Sequence, residues 1–173
     1  GGAPVPEEPQ QVQPQVRAYD FSQPAPQSEP VDNSYFDDAA FVGDSITNGI
    51  KSYGLMNNAT VIANTGLNPS TILTDAKINM GGTYVTALEA LEMTQPAKIY
   101  VMQGSNGIAW FDLETFVDLY AQLIDSILEQ HPDSVVYVQS ILPVTQSYSD
   151  ADNDISNAKI RQYDEAIRQM AIE

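Results

Sequence analysis

Four short and almost uninterrupted apolar runs constrain the fold of this chain more than any other feature of its sequence. They lie at about residues 38–44, 60–65, 97–103 and 134–142. Runs of this length without polar alternation are typical of parallel strands that are covered on both faces. They therefore predict a parallel sheet with helices packed on each side of it.

Helical periodicity fills the intervals between these runs. The clearest helix is predicted after Asp112, an N-cap residue type, and ends before Pro132. Its apolar stripe consists of Phe116, Val117, Tyr120, Leu123, Ile124, Ile127 and Leu128. Further helices are predicted at about residues 83–92 and from about residue 156 onward. The alternation of strand and helix predicts an α/β fold, a flavodoxin-like doubly wound parallel sheet in three layers with four strands.

Composition excludes several functional classes. The 173 residues include 7 Lys or Arg and 23 Asp or Glu, a formal net charge of −16, so neither nucleic acid nor an anionic lipid surface is an expected partner. No apolar run approaches the roughly 20 residues of a membrane-spanning helix. With no cysteine and one histidine, disulfides, thiolate nucleophiles and the usual structural zinc sites are excluded. No cofactor and no metal are predicted.

Residues 1–34 differ in composition from the rest of the chain. They hold seven of the 11 prolines and many glutamines, a composition that favours extended conformations and cannot build a core. We therefore predict a linker at 1–34 and one domain at 35–173. A linker of this kind is typical of a domain displayed on or outside a bacterial cell, although no export signal is visible at the start of the sequence.

The carboxyl ends of three predicted strands carry glycine beside a polar residue. These ends are residues 43–45 (Gly-Asp-Ser), 64–66 (Asn-Thr-Gly) and 104–106 (Gly-Ser-Asn). Ordinary turns explain any one of them. Since ligands of open α/β sheets bind beyond the carboxyl ends of the strands, the three together predict a functional site at this edge.

These residues resemble a known family. Gly43-Asp44-Ser45 in FVGDSITNGI resembles block I of the SGNH, or GDSL-type, serine esterases and lipases, Gly66 in NTGLNPS matches block II, and Asn106 in MQGSNGIAW matches block III. The resemblance extends from about residue 35 to the last residue. It implies that Ser45 is the nucleophile and that Gly66 and Asn106 serve the oxyanion hole. Block III usually continues with an acidic residue, where this chain has Gly107.

The chemistry supports the same roles. A serine hydroxyl is a weak nucleophile, so acyl transfer needs a base and donors aimed at the developing oxyanion. The Ser45 N–H, the Gly66 N–H and the Asn106 amide would be three such donors. The alternative role for Ser45 is to cap the helix that follows the first strand.

The base is the element that the sequence lacks. The family ends in an Asp-x-x-His block after a fifth strand, and this chain contains no such motif. Its one histidine, His131, lies between the long helix and the fourth strand, where it is expected to close the helix at the opposite edge of the sheet. We therefore expect an esterase domain without its fifth strand, catalytic acid and base, through truncation, cleavage or omission. The sheet edge left exposed would favour self-association.

The predicted activity is hydrolysis of a small acyl ester, such as an acetyl group on a carbohydrate. Trp110 is a candidate platform for a sugar ring, with a place in the core as its alternative. Two other functions stay open. One is a flavodoxin-like protein that holds a flavin phosphate in a loop at residues 45–49, and the other is a non-catalytic surface module that binds carbohydrate with an esterase fold.

Overall fold

The apolar runs form one parallel sheet in the computed structural model, which describes residues 20–151 and 153–173. A short 3₁₀ helix at Asn33–Phe36 leads into the elements that make up the rest of the fold. These are β1 (Ala39–Gly43), α1 (Ser45–Ser52), β2 (Thr60–Ala63), β3 (Ile78–Met80), β4 (Thr83–Val85), α2 (Ala87–Thr94), β5 (Lys98–Met102), α3 (Ser105–Trp110), α4 (Leu113–Gln130), β6 (Val135–Val138), α5 (Gln146–Ser149) and α6 (Asn157–Met170).

The sheet has the strand order β2-β1-β5-β6, and every neighbouring pair in it is parallel. Helices flank this sheet, which gives a three-layer α/β fold and confirms the predicted fold class. The register aligns Gly43 with Ala63 and with Met102, so the carboxyl ends of β2, β1 and β5 lie side by side. This alignment brings the three glycine-containing strand ends to one edge.

The fourth strand is shorter than its apolar run. β6 ends at Val138, and the backbone N–H of Ile141 donates to the Asp164 carboxylate of α6 at 2.7 Å instead of to a neighbouring strand. Residues 139–144 therefore form a loop at the carboxyl edge. This loop becomes one wall of the site.

Two of the predicted helices are confirmed. Helix α4 begins after Asp112, whose side chain accepts a hydrogen bond from the Thr115 N–H, and helix α6 begins after its cap Ser156. The core forms where α4 packs on the sheet, and the hydroxyl of fully buried Tyr120 donates to the Val101 carbonyl of β5 at 3.0 Å.

The helix predicted at residues 83–92 is wrong at its start. Residues 83–85 form β4, which pairs antiparallel with β3, and helix α2 begins only after the cap Thr86. The hairpin turns at Gly81 and Gly82, whose φ angles of +65° and +97° favour glycine. Adjacent glycines between two short β-prone segments are a known hairpin signal, and this one was missed.

The linker prediction falls largely outside the described residues, because 1–19 are not among them. Within residues 20–32 there is no helix or strand, and the Arg168 guanidinium of α6 donates to the Ser22 carbonyl at 3.3 Å. None of the described helices is long and apolar enough to cross a membrane. Among the described strands β6 is at the end of the sheet, and self-association through it stays a prediction.

Candidate active site

One buried carboxylate joins the two strand ends that carry the candidate catalytic residues. Asp44 is 2% exposed, and its Oδ1 accepts a hydrogen bond from the Ile46 N–H at 3.0 Å. Its Oδ2 accepts a second bond from the Gly104 N–H at 3.1 Å. The start of α1 and the turn before α3 are therefore fixed relative to each other by one side chain.

This arrangement decides the role of Ser45. Asp44 is the N-cap of α1, and Ser45 is the first residue of the helix, half-buried at the carboxyl edge. The alternative in which Ser45 caps α1 is wrong, because Asp44 already does so. The first N–H groups of a helix have no acceptor within the helix, so the Ser45 N–H can donate to a ligand.

Burial also governs the charge of Asp44. Removal from water raises the pKa of the Asp44 carboxyl above its usual range, and the hydrogen bonds from Ile46 and Gly104 oppose that rise. Both oxygens already accept hydrogen bonds, so this carboxylate is a structural bridge. Sequence reasoning missed this function, although aspartate is as strong an N-cap residue as serine.

Asn106 lies across from Ser45 on the neighbouring strand end. It is the second residue of α3 and is half-buried, and its side-chain amide makes no hydrogen bond with the described residues. The adjacent Gly107 is buried, and a Cβ there would lie 2.5 Å from the Phe116 ring. The departure from the acidic residue of block III therefore has a packing cause, because α3 approaches α4 too closely for a side chain.

The Gly66 N–H, the third expected oxyanion donor, already has an acceptor in this structure. This N–H donates to the Asn64 side-chain oxygen at 2.9 Å, so this donor is bonded within its own turn. The Asn64 amide nitrogen in turn donates to the Lys77 carbonyl at 3.2 Å. The Lys77 ammonium also donates to the Gly66 carbonyl at 3.4 Å. Asn64 and Lys77 thus fix this corner of the site, and no specific pattern in the sequence indicates either contact.

His131 lies at the opposite edge, as predicted. It is the C-cap of α4 and is 4% exposed. Val135, four residues after His131, pairs with Lys98 at the amino end of β5. Met102 at the carboxyl end of β5 lies roughly 13 Å from Lys98, at about 3.3 Å per residue. The imidazole therefore cannot reach the Ser45 hydroxyl.

Trp110 ends the helix that carries Asn106. Its side chain is 64% exposed, so the alternative place in the core is wrong. Residues 45–49 form the first turns of α1 and not a loop, which removes the phosphate-binding loop that the flavodoxin-like alternative requires.

The bridge makes a prediction about stability. Asp44→Ala removes the α1 cap and leaves the buried Gly104 N–H without its acceptor, which together should lower the free energy of unfolding by about 2 kcal/mol or more. Asp112→Ala is the matched control, because Asp112 caps α4 in an exposed position where water can replace the carboxylate. Urea unfolding of both variants checks this, and equal losses would contradict the bridging role.

Comparison with known proteins bears on the fold. Neither the known family profiles nor the curated protein sequences match this chain. Solved structures do match, among them a GDSL-like lipase from Bacteroides thetaiotaomicron, with 17% identity and a TM-score of 0.56 over 84% of this chain and 67% of that one. A proposed acylhydrolase from Bacteroides fragilis matches with 17% identity and a TM-score of 0.55 over 77% of this chain and 62% of that one.

A third match is a family 3 carbohydrate esterase from Talaromyces cellulolyticus. It has 15% identity and a TM-score of 0.51 over 76% of this chain and 70% of that one. The chain thus spans about two thirds of the length of these structures. At such identities the likeness establishes the fold alone.

Proposed function

Because the chain has the fold of the SGNH, or GDSL-type, hydrolases, we propose that it is a serine-dependent ester hydrolase that acts through an acyl-enzyme on Ser45. The Ser45 oxygen attacks the ester carbonyl carbon and the alcohol leaves with a proton. Water then attacks the acyl-enzyme and releases the acid.

The observation that carries this proposal is the Asp44 bridge. By accepting from both Ile46 and Gly104, the carboxylate holds the first turns of α1 and α3 together. Ser45 is the first residue of α1 and Asn106 is the second residue of α3, and both helices follow the ends of adjacent strands. The bridge therefore fixes the backbone positions that carry the nucleophile and the donor, and such preorganisation is what transition-state stabilisation requires.

We propose that the oxyanion is held by the Ser45 N–H and the Asn106 amide. Gly66 can add its N–H only when Asn64 releases it, since the two are hydrogen-bonded at 2.9 Å. Asn64 therefore controls whether the site has two donors or three.

The proton of Ser45 needs an acceptor, and the imidazole of His131 cannot be that acceptor because it lies at the opposite edge of the sheet. A base supplied from elsewhere is required for efficient turnover, and added imidazole can act as one in an experiment. The chain's own contribution is then the nucleophile and the oxyanion donors.

For the substrate we propose a small acyl ester of a carbohydrate, such as an acetylated sugar. The exposed Trp110 ring on α3 supports this substrate, because aromatic faces bind sugar rings. The likeness to a carbohydrate esterase supports it too. An extracellular location is proposed from the composition of residues 1–34.

The proposal is tested by labelling with a fluorophosphonate in the presence of imidazole. We expect mass spectrometry to find the label on Ser45, and Ser45→Ala to remove it. Ser52→Ala is the matched control, because Ser52 ends the same helix in an exposed position and should leave labelling unchanged. A label on Ser105, the hydroxyl at the neighbouring strand end, would contradict the assignment.

A second function, carbohydrate binding without turnover, is favoured by one observation. The only imidazole of the chain is buried at the edge opposite Ser45. No label on Ser45 at any imidazole concentration, together with binding of an acetylated oligosaccharide that Trp110→Ala abolishes, would support this function over hydrolysis.

A further inference from the structure

We propose that a cavity at the β2 end of the sheet binds an acidic sugar unit, through contacts with its carboxylate and with one face of its ring. The cavity has a volume of about 310 Å³ and lies between the end of α1, the loop that follows it and the hairpin of β3 and β4. Its lining includes Lys51, Met56, Ala59, Val61, Asn79 and Met80. The inference goes beyond the proposed function, because this site takes no part in ester cleavage.

The cavity is separate from the candidate active site. Ser45 is the first residue of α1 and Lys51 is the seventh, so at 1.5 Å per residue they lie about 9 Å apart along the helix axis. Neither Ser45 nor Asn106 lines the cavity. A sugar unit bound there therefore leaves the Ser45 hydroxyl accessible to an ester.

The rim of the cavity presents hydrogen-bond donors. The Asn79 side-chain oxygen accepts from the Gly82 N–H at 2.8 Å, which orients the amide and leaves its nitrogen without an acceptor among the described residues. The exposed Lys51 ammonium likewise has no acidic partner in that part of the chain. Both nitrogens donate and neither accepts, so they favour a ligand that carries a carboxylate.

Lys51 is unusual because acids greatly outnumber bases in this chain. With 23 Asp or Glu and 7 Lys or Arg, a cation is expected to find an acid, as Lys77, Lys98 and Arg168 do. The dipole of α1 favours a cation in its last turn, but that interaction occupies none of the three N–H donors of Lys51. Among the described residues no acidic side chain lines the cavity. Since distant charges are screened beyond about 8 Å at physiological salt, Lys51 outweighs the net charge of −16 for a ligand held there.

The floor of the cavity is apolar. Met56, Val61 and Met80 line it and are half-buried, whereas Lys51 and Asn79 are exposed. The C–H groups of a sugar ring form an apolar face, which can pack on methionine and valine side chains. A volume of about 310 Å³ is at the lower end of the range for small-molecule sites, which fits a single sugar unit. Donors at the rim and an apolar floor together select a carboxylate attached to a ring.

Side-chain contacts hold both walls of the cavity in place. In the loop after α1, the Asn58 amide donates to the Asn33 carbonyl at 2.6 Å and to the Asp37 carboxylate at 2.7 Å. At the other wall, the Lys77 carbonyl just before β3 accepts from the Asn64 amide at 3.2 Å. Both walls are therefore attached to neighbouring elements before a ligand arrives, which lowers the entropic cost of binding.

The experiment uses methyl-labelled methionine as the reporter of binding. Of the five methionines, Met56 and Met80 line the cavity, Met102 ends β5 near the candidate active site, and Met93 is exposed on α2. We expect glucuronate to shift the NMR signals of Met56 and Met80 and to leave those of Met93 and Met102 unchanged. Glucose, which lacks the carboxylate, should bind about fivefold more weakly, since exposed ion pairs contribute modestly. Acetate, which lacks the ring, should also bind more weakly than glucuronate.

Several results would overturn the proposal. Equal dissociation constants for glucuronate and glucose would mean that the cavity does not recognise the carboxylate. Equal constants for glucuronate and acetate would mean that the ring contributes nothing. Unchanged signals of Met56 and Met80, or a shift confined to Met102, would mean that the sugar does not bind in this cavity.

Lys51→Gln should remove the preference for glucuronate over glucose. Arg161→Gln is the matched control, because Arg161 is exposed on α6, has no acidic partner among the described residues and does not line the cavity. Both substitutions change the net charge equally. An equal loss of preference in the two variants would therefore show that overall charge, and not Lys51, sets the preference, and would refute the site.

Asn79→Asp tests the second donor. The substitution keeps an acceptor for the Gly82 N–H and replaces the amide nitrogen with a negatively charged oxygen at the rim. It should weaken the binding of glucuronate more than the binding of glucose. If it weakens both equally, the Asn79 amide does not contact the carboxylate and the proposed arrangement is wrong.

This site and the proposed hydrolase fail separately. Ser45→Ala removes the nucleophile and should leave the shifts of Met56 and Met80 intact. Fluorophosphonate labelling of Ser45 without glucuronate binding in the cavity would refute the sugar site and keep the hydrolase. Glucuronate binding without labelling of Ser45 would keep the sugar site and refute the hydrolase.

Discussion

The purified chain is expected to hydrolyse p-nitrophenyl acetate on the order of a millionfold more slowly than a serine esterase with a complete triad. The reason is that His131 closes α4 at the amino end of β6, so no imidazole accepts the Ser45 proton. Loss of a triad base costs about this much in kcat, while oxyanion donors and substrate binding leave a residual rate about 10³ to 10⁴ above water.

Added imidazole should restore part of the lost rate. We expect an imidazole-dependent turnover, above the hydrolysis by imidazole alone, that Ser45→Ala removes. Without imidazole, Ser45→Ala should change the rate little. The effects of substitutions in a catalytic unit are not additive, so loss of the nucleophile costs little more once the base is missing. Initial rates at several imidazole concentrations, with and without Ser45, check both statements.

His131→Gln is the control for this prediction. Its side chain is buried at the opposite edge, so the substitution should leave the imidazole-dependent rate unchanged. If the chain alone turns over the ester at rates typical of enzymes, and His131→Gln abolishes that activity, the absence of a local base is disproved and the mechanism must be reassigned.

Asn106→Ala is expected to lower the imidazole-dependent kcat by roughly 100-fold or more, with KM nearly unchanged. The amide nitrogen bonds the oxygen more strongly as negative charge develops on it, so the loss falls on the transition state. Asn106→Asp should be more damaging, since it keeps the shape and replaces the donor with a negative charge beside the oxyanion.

The control is Asn57→Ala, because Asn57 carries an exposed amide in the loop between α1 and β2. This variant should have the same kcat and KM as the unmodified chain. Steady-state rates at saturating and at limiting ester concentrations separate kcat from KM. A change in KM alone for Asn106→Ala would mean that the amide binds the ground state, and the oxyanion role would be withdrawn.

The sheet and its main helices could be predicted from local patterns. Apolar runs without alternation specify strands buried on both faces, and the caps Asp112 and Ser156 mark where α4 and α6 begin. The hairpin of β3 and β4 was missed because three-residue strands carry too little pattern to compete with the helical periodicity that follows them.

Motif spacing indicated which strand ends hold the candidate site but not how they are joined. Ser45, Gly66 and Asn106 follow three strands whose carboxyl ends lie side by side, as the parallel arrangement requires. The hydrogen bond from the Gly66 N–H to the Asn64 side chain depends on the conformation of one turn, and the sequence pattern does not predict it.

The sequence by itself determined the four strands of the parallel sheet, the long helices, the edge that holds the candidate site and the place of His131 at the opposite edge, because these follow from periodicity and chain direction. Only the tertiary structure decided that Asp44 accepts a hydrogen bond from the Gly104 N–H, 60 residues away, that Phe116 leaves no room for a side chain at Gly107, and that α6 holds the loop after β6. These contacts join residues that belong to different elements, so local propensity does not encode them, and their geometry is set by how the elements pack.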